Sequence, residues 1–183
     1  MSELADIRLL ILDFDGCLTS NDVWTFADGS EAVRSWRGDG IGIKAVQRLG
    51  VRVVVVSTEV NPIVSVRCAK LGVEVLQGVT DKAAAVTVLA GQSGQSDLKD
   101  GATLAATAFL GNDINDIPAL DIVGHPWVVK DAHPKVQRRR NGELYHRLRF
   151  CGGYGAVREL CDMIVEAKLS ALVEVNLGKA TAD

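Results

Sequence analysis

The chain has 183 residues, of which 48% are hydrophobic and 23% charged, and its formal net charge is −3. This composition is typical of a soluble globular protein and excludes disordered and fibrous chains. The weak negative charge offers no general attraction to nucleic acid or anionic membranes, and no apolar run approaches the roughly 20 residues of a membrane helix. The acidic N-terminus and four cysteines without CxxC spacing predict a cytoplasmic protein with reduced thiols.

Short apolar runs alternate along the chain with longer amphipathic segments. We predict strands at 9–12, 53–56, 73–76, 105–110 and 128–129, and helices at about 40–50, 61–72, 80–92, 114–122 and 155–175. Strands that are apolar on both faces belong in a buried parallel sheet. The β-α-β alternation therefore predicts one domain over 1–183 with a doubly wound α/β fold, helices covering both faces of the sheet.

Several segments depart from this alternation. Residues 21–37 have strand-like runs on either side of Asp28-Gly29, which predicts a β-hairpin directly after the first strand. Residues 91–101 are predicted to form a polar loop, and 177–183 a mobile tail. The basic run 138–140 is interpreted as a solvated helix face, because no aromatic residues are interleaved to stack on bases.

Polar side chains follow the predicted strands at the points where the strands end. Asp13 and Asp15 follow the first strand, Ser57 the second, and Lys82 opens the helix after the third, while the segment 111–116 (GNDIND) follows the fourth. Ligands bind at the carboxyl ends of strands in open parallel sheets. We therefore expect two carboxylates, a hydroxyl, a lysine and a further acidic cluster to meet at one edge.

These residues resemble, in the same order, the four motifs of the haloacid dehalogenase superfamily of phosphotransferases: DFDGCLT at 13–19, Ser57, Lys82 and GNDIND. The resemblance implies a phosphatase with a Rossmann-like fold. A nucleotide-binding Rossmann protein is discounted, because GxGxxG does not follow the first strand.

The similarity extends from about residue 7 to about residue 167. DGIG at 39–42, Arg67, DAHP at 131–134 and GGYGAVRE at 152–159 resemble one branch of the superfamily. That branch hydrolyses sugar-acid phosphates, namely 3-deoxy-octulosonate 8-phosphate and nonulosonate (sialic-acid-type) 9-phosphates. The chain has no insertion for a large cap beyond the hairpin.

The resemblance implies a role for each motif residue. Asp13 is expected to attack phosphorus and form an aspartyl-phosphate, and Asp15 to protonate the leaving oxygen and then activate water. Ser57 and Lys82 are expected to hold the phosphoryl oxygens. Mg²⁺ is the implied cofactor, bound by Asp13 and by the backbone carbonyl of Asp15.

The fourth motif differs from the usual Gly-Asp, because Asn112 follows Gly111. An amide oxygen can still bind Mg²⁺, but without charge, so we expect lower metal affinity, with Asp113 or Asp116 as compensating ligands. The alternative interpretation is a catalytically weakened domain that serves oligomerisation or binding, as such domains do in sialic-acid activation.

The resemblance also implies which residues contact the substrate. Octulosonate phosphatases carry Arg two positions after the second motif, whereas nonulosonate phosphatases carry Glu there and a Lys further along; this chain has Glu59 and Lys70. With Arg67, these two are predicted to share a helix face near the site. The predicted substrate-binding residues are Trp36, Arg37, Asp39, Gly40, Thr58, Glu59, Arg67 and Lys70.

A capless site would lie open to water, and similar phosphatases close it by forming tetramers. Trp24 and Phe26 in the hairpin are consistent with a buried interface. We therefore expect a homotetramer acting on a small phosphorylated sugar acid, without a nucleic-acid or membrane partner.

Overall fold

A parallel sheet of six strands forms the centre of the fold, in the order β5-β4-β1-β6-β7-β8. The structure is a computed structural model, and it describes residues 2–92 and 103–180. The strands are β1 Leu9–Leu12, β2 Thr19–Thr25, β3 Glu31–Ser35, β4 Arg52–Val56, β5 Glu74–Leu76, β6 Thr107–Gly111, β7 His125–Val128 and β8 His146–Arg147. The helices are α1 Asp39–Arg48, α2 Pro62–Leu71, α3 Lys82–Gln92, α4 Ile117–Ile122 and α5 Ala156–Ala180.

The strand β1 lies at the centre of the sheet, paired in parallel with β4 on one side and with β6 on the other. All four residues of β1 are buried, as expected for a strand that is covered by helices on both faces. The predicted α/β fold is confirmed, and the carboxyl ends of β1, β4 and β6 open on the same edge.

Local capping explains where the helix after β4 begins and ends. Asn61 accepts a hydrogen bond from the backbone N–H of Ile63 (3.0 Å), and Pro62 occupies the first helical position. Gly72 ends the helix in the left-handed region at φ 72°, where a glycine avoids the steric cost of a Cβ. The sequence signals placed this helix at 61–72, and the structure confirms it.

Several boundaries differ from the predictions. The strand predicted at 105–110 begins at Thr107, since Leu104–Ala106 form a 3₁₀ turn, and the helix predicted at 114–122 opens with another such turn, Ile114–Asp116. β7 begins before the predicted 128–129, and β8, only two residues long, was not predicted. The helix α5 continues through Ala180, past the predicted start of the tail; 93–101 of the predicted loop and 181–183 lie outside the described residues.

The predicted hairpin is confirmed as an antiparallel pair, β2 with β3, separate from the main sheet. The side chain of Asp28 accepts hydrogen bonds from both the N–H and the hydroxyl of Ser30, and Gly29 has φ 81°. β2 begins at Thr19, immediately after the loop that carries Asp15. Within the described residues this hairpin is the only insertion that could cover the site, and no large cap domain is present.

The interpretation of the basic run as a helix face is wrong. These arginines lie in a loop that is closed by a bridge between Arg138 and Leu144. Arg139 donates to the backbone carbonyls of Asp121 and Val123 at the end of α4, and Arg140 lies 3.4 Å from the Asp121 carboxylate. The run therefore fastens this loop to α4.

None of the helices in 2–92 and 103–180 combines the length and the apolar composition that crossing a bilayer requires.

Candidate active site

Three side chains from three separate segments meet in a buried ionic cluster at the carboxyl edge of the sheet. Asp13 follows β1, Lys82 opens α3 and Asp116 precedes α4. The Lys82 ammonium lies 2.7 Å from an oxygen of Asp13 and 2.7 Å from Oδ1 of Asp116. All three residues are at most 5% exposed. The predicted convergence of Asp13 and Lys82 is confirmed.

The cluster holds one cation between two carboxylates. Burial disfavours the charged form of Lys82, but Asp13 and Asp116 outweigh it, so the pKa of Lys82 is raised and the ammonium stays protonated. Burial and the nearby Asp116 raise the pKa of Asp13, against the lowering effect of Lys82. If both carboxylates are ionised, the cluster carries an excess negative charge that would attract a further cation.

Asp116 uses both of its oxygens inside the protein. Oδ1 accepts from Lys82, while Oδ2 accepts from the backbone N–H groups of Asn112 (2.8 Å) and Asp113 (3.1 Å). A Cβ at Gly111 would lie 2.7 Å from the Asp116 carboxylate, so only glycine leaves room for it. Asp116, predicted as a metal ligand, is placed as the partner of Lys82 and the anchor of the fourth motif.

Asn112 carries an oxygen that fits a cation. The residue is 6% exposed, and its Oδ1 has no hydrogen-bond partner among the described residues. Its side chain packs against the loop after β1, because a Cβ at Gly16 would lie 2.0 Å from its Nδ2. A buried oxygen without a partner is costly in a folded protein unless something binds it, and Mg²⁺ prefers oxygen ligands.

No group of three His, Cys, Asp or Glu side chains within 2–92 and 103–180 is arranged to hold a metal. Asp113 is half-buried, and its Oδ1 accepts from the N–H of Ile114 (2.6 Å). The residues at this edge fit a divalent cation that is bound by few charged ligands.

Asp15 lies beside the buried cluster and faces a pocket. The side chain is half-buried, and burial, followed by the charge of Glu59, raises its pKa. The pocket has a volume of about 360 Å³ and lies between the hairpin and the loop after β4; its lining includes Asp15, Ser20, Asn21, Glu31, Thr58 and Glu59. A carboxyl group that lies beside a pocket and has a raised pKa suits a general acid.

The loop after β4 is organised around Ser57. Ser57 is fully buried, and its hydroxyl accepts a hydrogen bond from the backbone N–H of Glu59 (3.0 Å). Thr58 and Glu59 thereby reach the pocket that Asp15 faces. The structure brings both of these predicted substrate-binding residues to the site.

The prediction that Glu59, Arg67 and Lys70 share one helix face is wrong. Glu59 precedes α2, which begins at Pro62, so helical spacing does not relate it to the other two. Lys70 stands in the last turn, roughly 12 Å along the axis from Pro62 at 1.5 Å per residue. Arg67 donates to the backbone carbonyl of Trp36 (3.2 Å), which places it against the start of α1.

The remaining predicted substrate residues lie around the start of α1. Asp39 is 1% exposed and accepts a hydrogen bond from the N–H of Arg158 (3.0 Å) on α5. Trp36 lines a different pocket, of about 300 Å³, beside the start of α5. A Cβ at Gly40 would lie 3.1 Å from Leu71, so Gly40 lets α1 approach α2. Arg37 is exposed.

Several residues that line the pocket were not predicted from the sequence. Ser20 and Asn21 come from β2, and Glu31 from β3. Asn61 donates to the Glu31 carboxylate (2.8 Å), which joins the hairpin to the start of α2. The available signal was the position of the hairpin, which follows the first motif without a linker.

Several proteins of known sequence or structure are similar to this chain over most of its length. No protein-family model matches the chain. The 3-deoxy-D-manno-octulosonate 8-phosphate phosphatase KdsC of Escherichia coli K12 is 33% identical over 171 residues, which cover 92% of this chain and 84% of that protein. The cobalt-bound deoxy-D-mannose-octulosonate 8-phosphate phosphatase of Haemophilus influenzae has a TM-score of 0.79 at 34% identity, with 91% of each chain covered.

A third protein has been solved with ligands. The 3-deoxy-D-manno-octulosonate 8-phosphate phosphatase of Moraxella catarrhalis, in complex with a magnesium ion, a phosphate ion and KDO, has a TM-score of 0.80 at 26% identity, covering 94% of this chain and 95% of that one. From its fold, the order of its motifs and these similarities, the chain belongs to the haloacid dehalogenase superfamily of hydrolases, in the family of the 3-deoxy-D-manno-octulosonate 8-phosphate phosphatases.

Proposed function

We propose that the protein is a Mg²⁺-dependent phosphatase that hydrolyses the phosphate monoester of a sugar acid. The observation that carries the proposal is the buried cluster of Asp13, Lys82 and Asp116, with the unpartnered oxygen of Asn112 nearby. This edge offers a nucleophile, a fixed positive charge and a place for a divalent cation. Phosphoryl transfer requires these three elements to bring two anions together.

The reaction proceeds in two displacements at phosphorus. In the first, an Asp13 oxygen attacks, the bond between phosphorus and the sugar oxygen breaks, and Asp15 gives its proton to the leaving oxygen. In the second, Asp15 takes a proton from water, the water oxygen attacks phosphorus, and the bond to Asp13 breaks. Lys82 and the loop of Ser57 and Thr58 hold the phosphoryl oxygens throughout.

The residues proposed to hold Mg²⁺ are Asp13, the backbone carbonyl of Asp15 and Asn112. When bound, the ion supplies positive charge that reduces repulsion between the Asp13 carboxylate and the phosphoryl group. Asp113 is proposed to contribute through water. Asp116 acts by fixing Lys82 and the backbone of the fourth motif.

Two substrates remain in the proposal, an octulosonate 8-phosphate and a nonulosonate 9-phosphate. The names of the relatives support the first. The second is supported by Glu59, which lines the same pocket as Asp15. The resemblance gives nonulosonate phosphatases a glutamate at this position, two residues after the second motif.

A homotetramer in the cytoplasm is also proposed. Its support is the hairpin, on which Val23, Trp24 and Phe26 are each more than half exposed. Exposed aromatic groups of this size are typical of protein interfaces.

The deciding experiment measures phosphate release from both sugar-acid phosphates with and without Mg²⁺, comparing the wild-type protein with Asp13→Asn. We expect Mg²⁺-dependent release that the substitution abolishes, with one substrate preferred. Absence of release from both substrates would contradict the proposal and favour a non-catalytic domain. Equal release by the variant would contradict the proposed reaction at Asp13.

A further inference from the structure

A turn formed by Gly152 and Gly153, just before α5, packs directly against the loop that carries Asp15. A Cβ at Gly152 would lie 1.7 Å from the carbonyl oxygen of Gly16, and one at Gly153 would lie 2.1 Å from the backbone nitrogen of Ser20. Gly153 also has φ 67°. Side chains at either position would displace the catalytic loop, so these two glycines allow a backbone-to-backbone contact.

Hydrogen bonds fix this turn to the catalytic loop. The N–H of Gly153 donates to the carbonyl of Cys17 (3.0 Å), two residues beyond Asp15. The N–H of Gly152 donates to Oδ1 of Asp131 (3.0 Å), which holds the turn from the other side. The turn is therefore joined to the catalytic loop on one side and to the segment after β7 on the other.

Arg34, on the returning strand of the hairpin, binds the same turn. Its Nη1 donates to the carbonyl of Gly153 (2.8 Å), and its guanidinium lies 3.7 Å from the ring centroid of Tyr154. The planar guanidinium can stack on the ring and donate in its own plane simultaneously, which an ammonium group cannot do. The carbonyl of Gly153 thus accepts a hydrogen bond from Arg34, while its N–H donates one to the carbonyl of Cys17.

These contacts close a ring that runs from the catalytic loop along β2, back along β3 to Arg34, and through Gly153 to Cys17. The hairpin and the loop are joined by chain at one end and by Arg34 at the other. A displacement of β3 would therefore be transmitted to the backbone beside Asp15. A misplacement of about 1 Å at a reacting group can cost roughly 100-fold in rate.

We propose that Arg34 is a positioning residue, which holds the catalytic loop and the hairpin in register through Gly153 and Tyr154. The inference rests on the proposed phosphatase activity for its kinetic consequence, but the mechanical coupling itself does not depend on the substrate. Arg34 touches none of the reacting groups.

The test compares Arg34→Met and Arg34→Lys with Arg48→Met, which removes an exposed arginine from the last turn of α1. We expect kcat to fall about tenfold in Arg34→Met, to recover only in part in Arg34→Lys, and to stay unchanged in Arg48→Met. The double variant Arg34→Met/Tyr154→Leu should be less than additive, because both changes disrupt one contact.

Amide hydrogen exchange supplies a readout that does not need activity. Exchange in 14–20 should become faster in Arg34→Met, while exchange in β4 stays as in the wild type. Unchanged exchange in 14–20 would overturn the proposal, as would a kcat within twofold of the wild type. If the wild-type protein releases no phosphate, the proposed function fails and the exchange measurement alone decides the coupling.

Discussion

At the scale of single residues, the two carboxylates of the first motif occupy different environments. Asp13 is buried against the Lys82 ammonium, whereas Asp15 is half-buried beside a pocket, and burial raises the pKa of both groups. A nucleophile must be ionised to attack, and an acid must keep its proton. The contact of Asp13 with Lys82 and the position of Asp15 beside the pocket, rather than their pKa shifts, support the division of roles that the motif implies.

Asp15→Asn removes the proposed acid without changing the shape of the side chain. We expect kcat for a sugar-acid phosphate to fall by about 100-fold or more, since the leaving alkoxide is not protonated. With p-nitrophenyl phosphate, whose leaving group needs no proton, the first step should proceed and phosphoenzyme should accumulate. Rapid-quench detection of protein-bound phosphate measures this, and equal losses for both substrates without accumulation would argue against the role.

Asn112→Asp restores a charged ligand to the fourth motif. We expect the Mg²⁺ concentration for half-maximal activity to fall by about tenfold, because affinity for hard cations rises with the number of charged ligands. A Mg²⁺ titration of phosphate release measures the change. Asn115→Asp is the matched control: Asn115 is exposed in the same motif, and an equal effect there would show a general charge effect.

At the scale of elements, the packing of α1 against α5 includes a buried carboxyl group. Burial raises the pKa of Asp39 from 3.8 to about 7, although the N–H of Arg158 and the charges of Arg67 and Arg158 lower it. Because the pKa of Asp39 is higher in the folded protein than in the unfolded chain, folding takes up a proton at pH values between the two. The stability of the wild-type protein should therefore decrease as the pH rises from about 4 to about 7.

Asp39→Asn removes this titration and can keep an oxygen for the N–H of Arg158. Above pH 7 we expect the variant to be more stable than the wild type, by on the order of 2 kcal/mol, with the advantage vanishing near pH 4. Urea unfolding at pH 4, 6 and 8 measures the difference. Asp22→Asn, at an exposed position on β2, should show no such trend; a pH-independent effect of Asp39→Asn would contradict the interpretation.

Local signals in the sequence were sufficient for most elements and insufficient for contacts between them. Continuous apolar runs marked β1 and β4, and Asp28-Gly29 marked the hairpin, because these signals lie within a few residues of the element itself. The two-residue β8 has no such pattern. The bond between Lys82 and Asp116 spans 34 positions, and motif order indicated their proximity but not that they pair with each other. Glu59 lies before the helix start that Asn61-Pro62 indicates, so helical spacing could not relate it to Arg67 and Lys70.

At the scale of the whole molecule, the hairpin projects exposed apolar side chains away from the main sheet. Trp24 and Phe26 are 51% and 54% exposed. In a lone subunit these groups would remain in water, so burial against another copy would be favourable, at about 25 cal/mol per Å² of apolar surface.

If the proposed tetramer forms, Trp24→Ser/Phe26→Ser should shift the mass in solution towards smaller species at micromolar concentration. Light scattering after size-exclusion chromatography measures the mass. Val88→Ser replaces a similarly exposed apolar group on α3 and should leave the mass unchanged. A wild-type protein that is monomeric would refute the proposed assembly directly.

The close packing of the catalytic loop has a consequence for the reactivity of Cys17. Cys17 is fully buried between Asp15 and the start of β2, its thiol lies 3.7 Å from the carbonyl of Leu110, and burial raises its pKa well above the usual value. The thiolate is the form that alkylating agents and peroxide attack. A cysteine two positions from the proposed acid is therefore shielded from oxidants, and turnover should persist under oxidative conditions without a reducing agent.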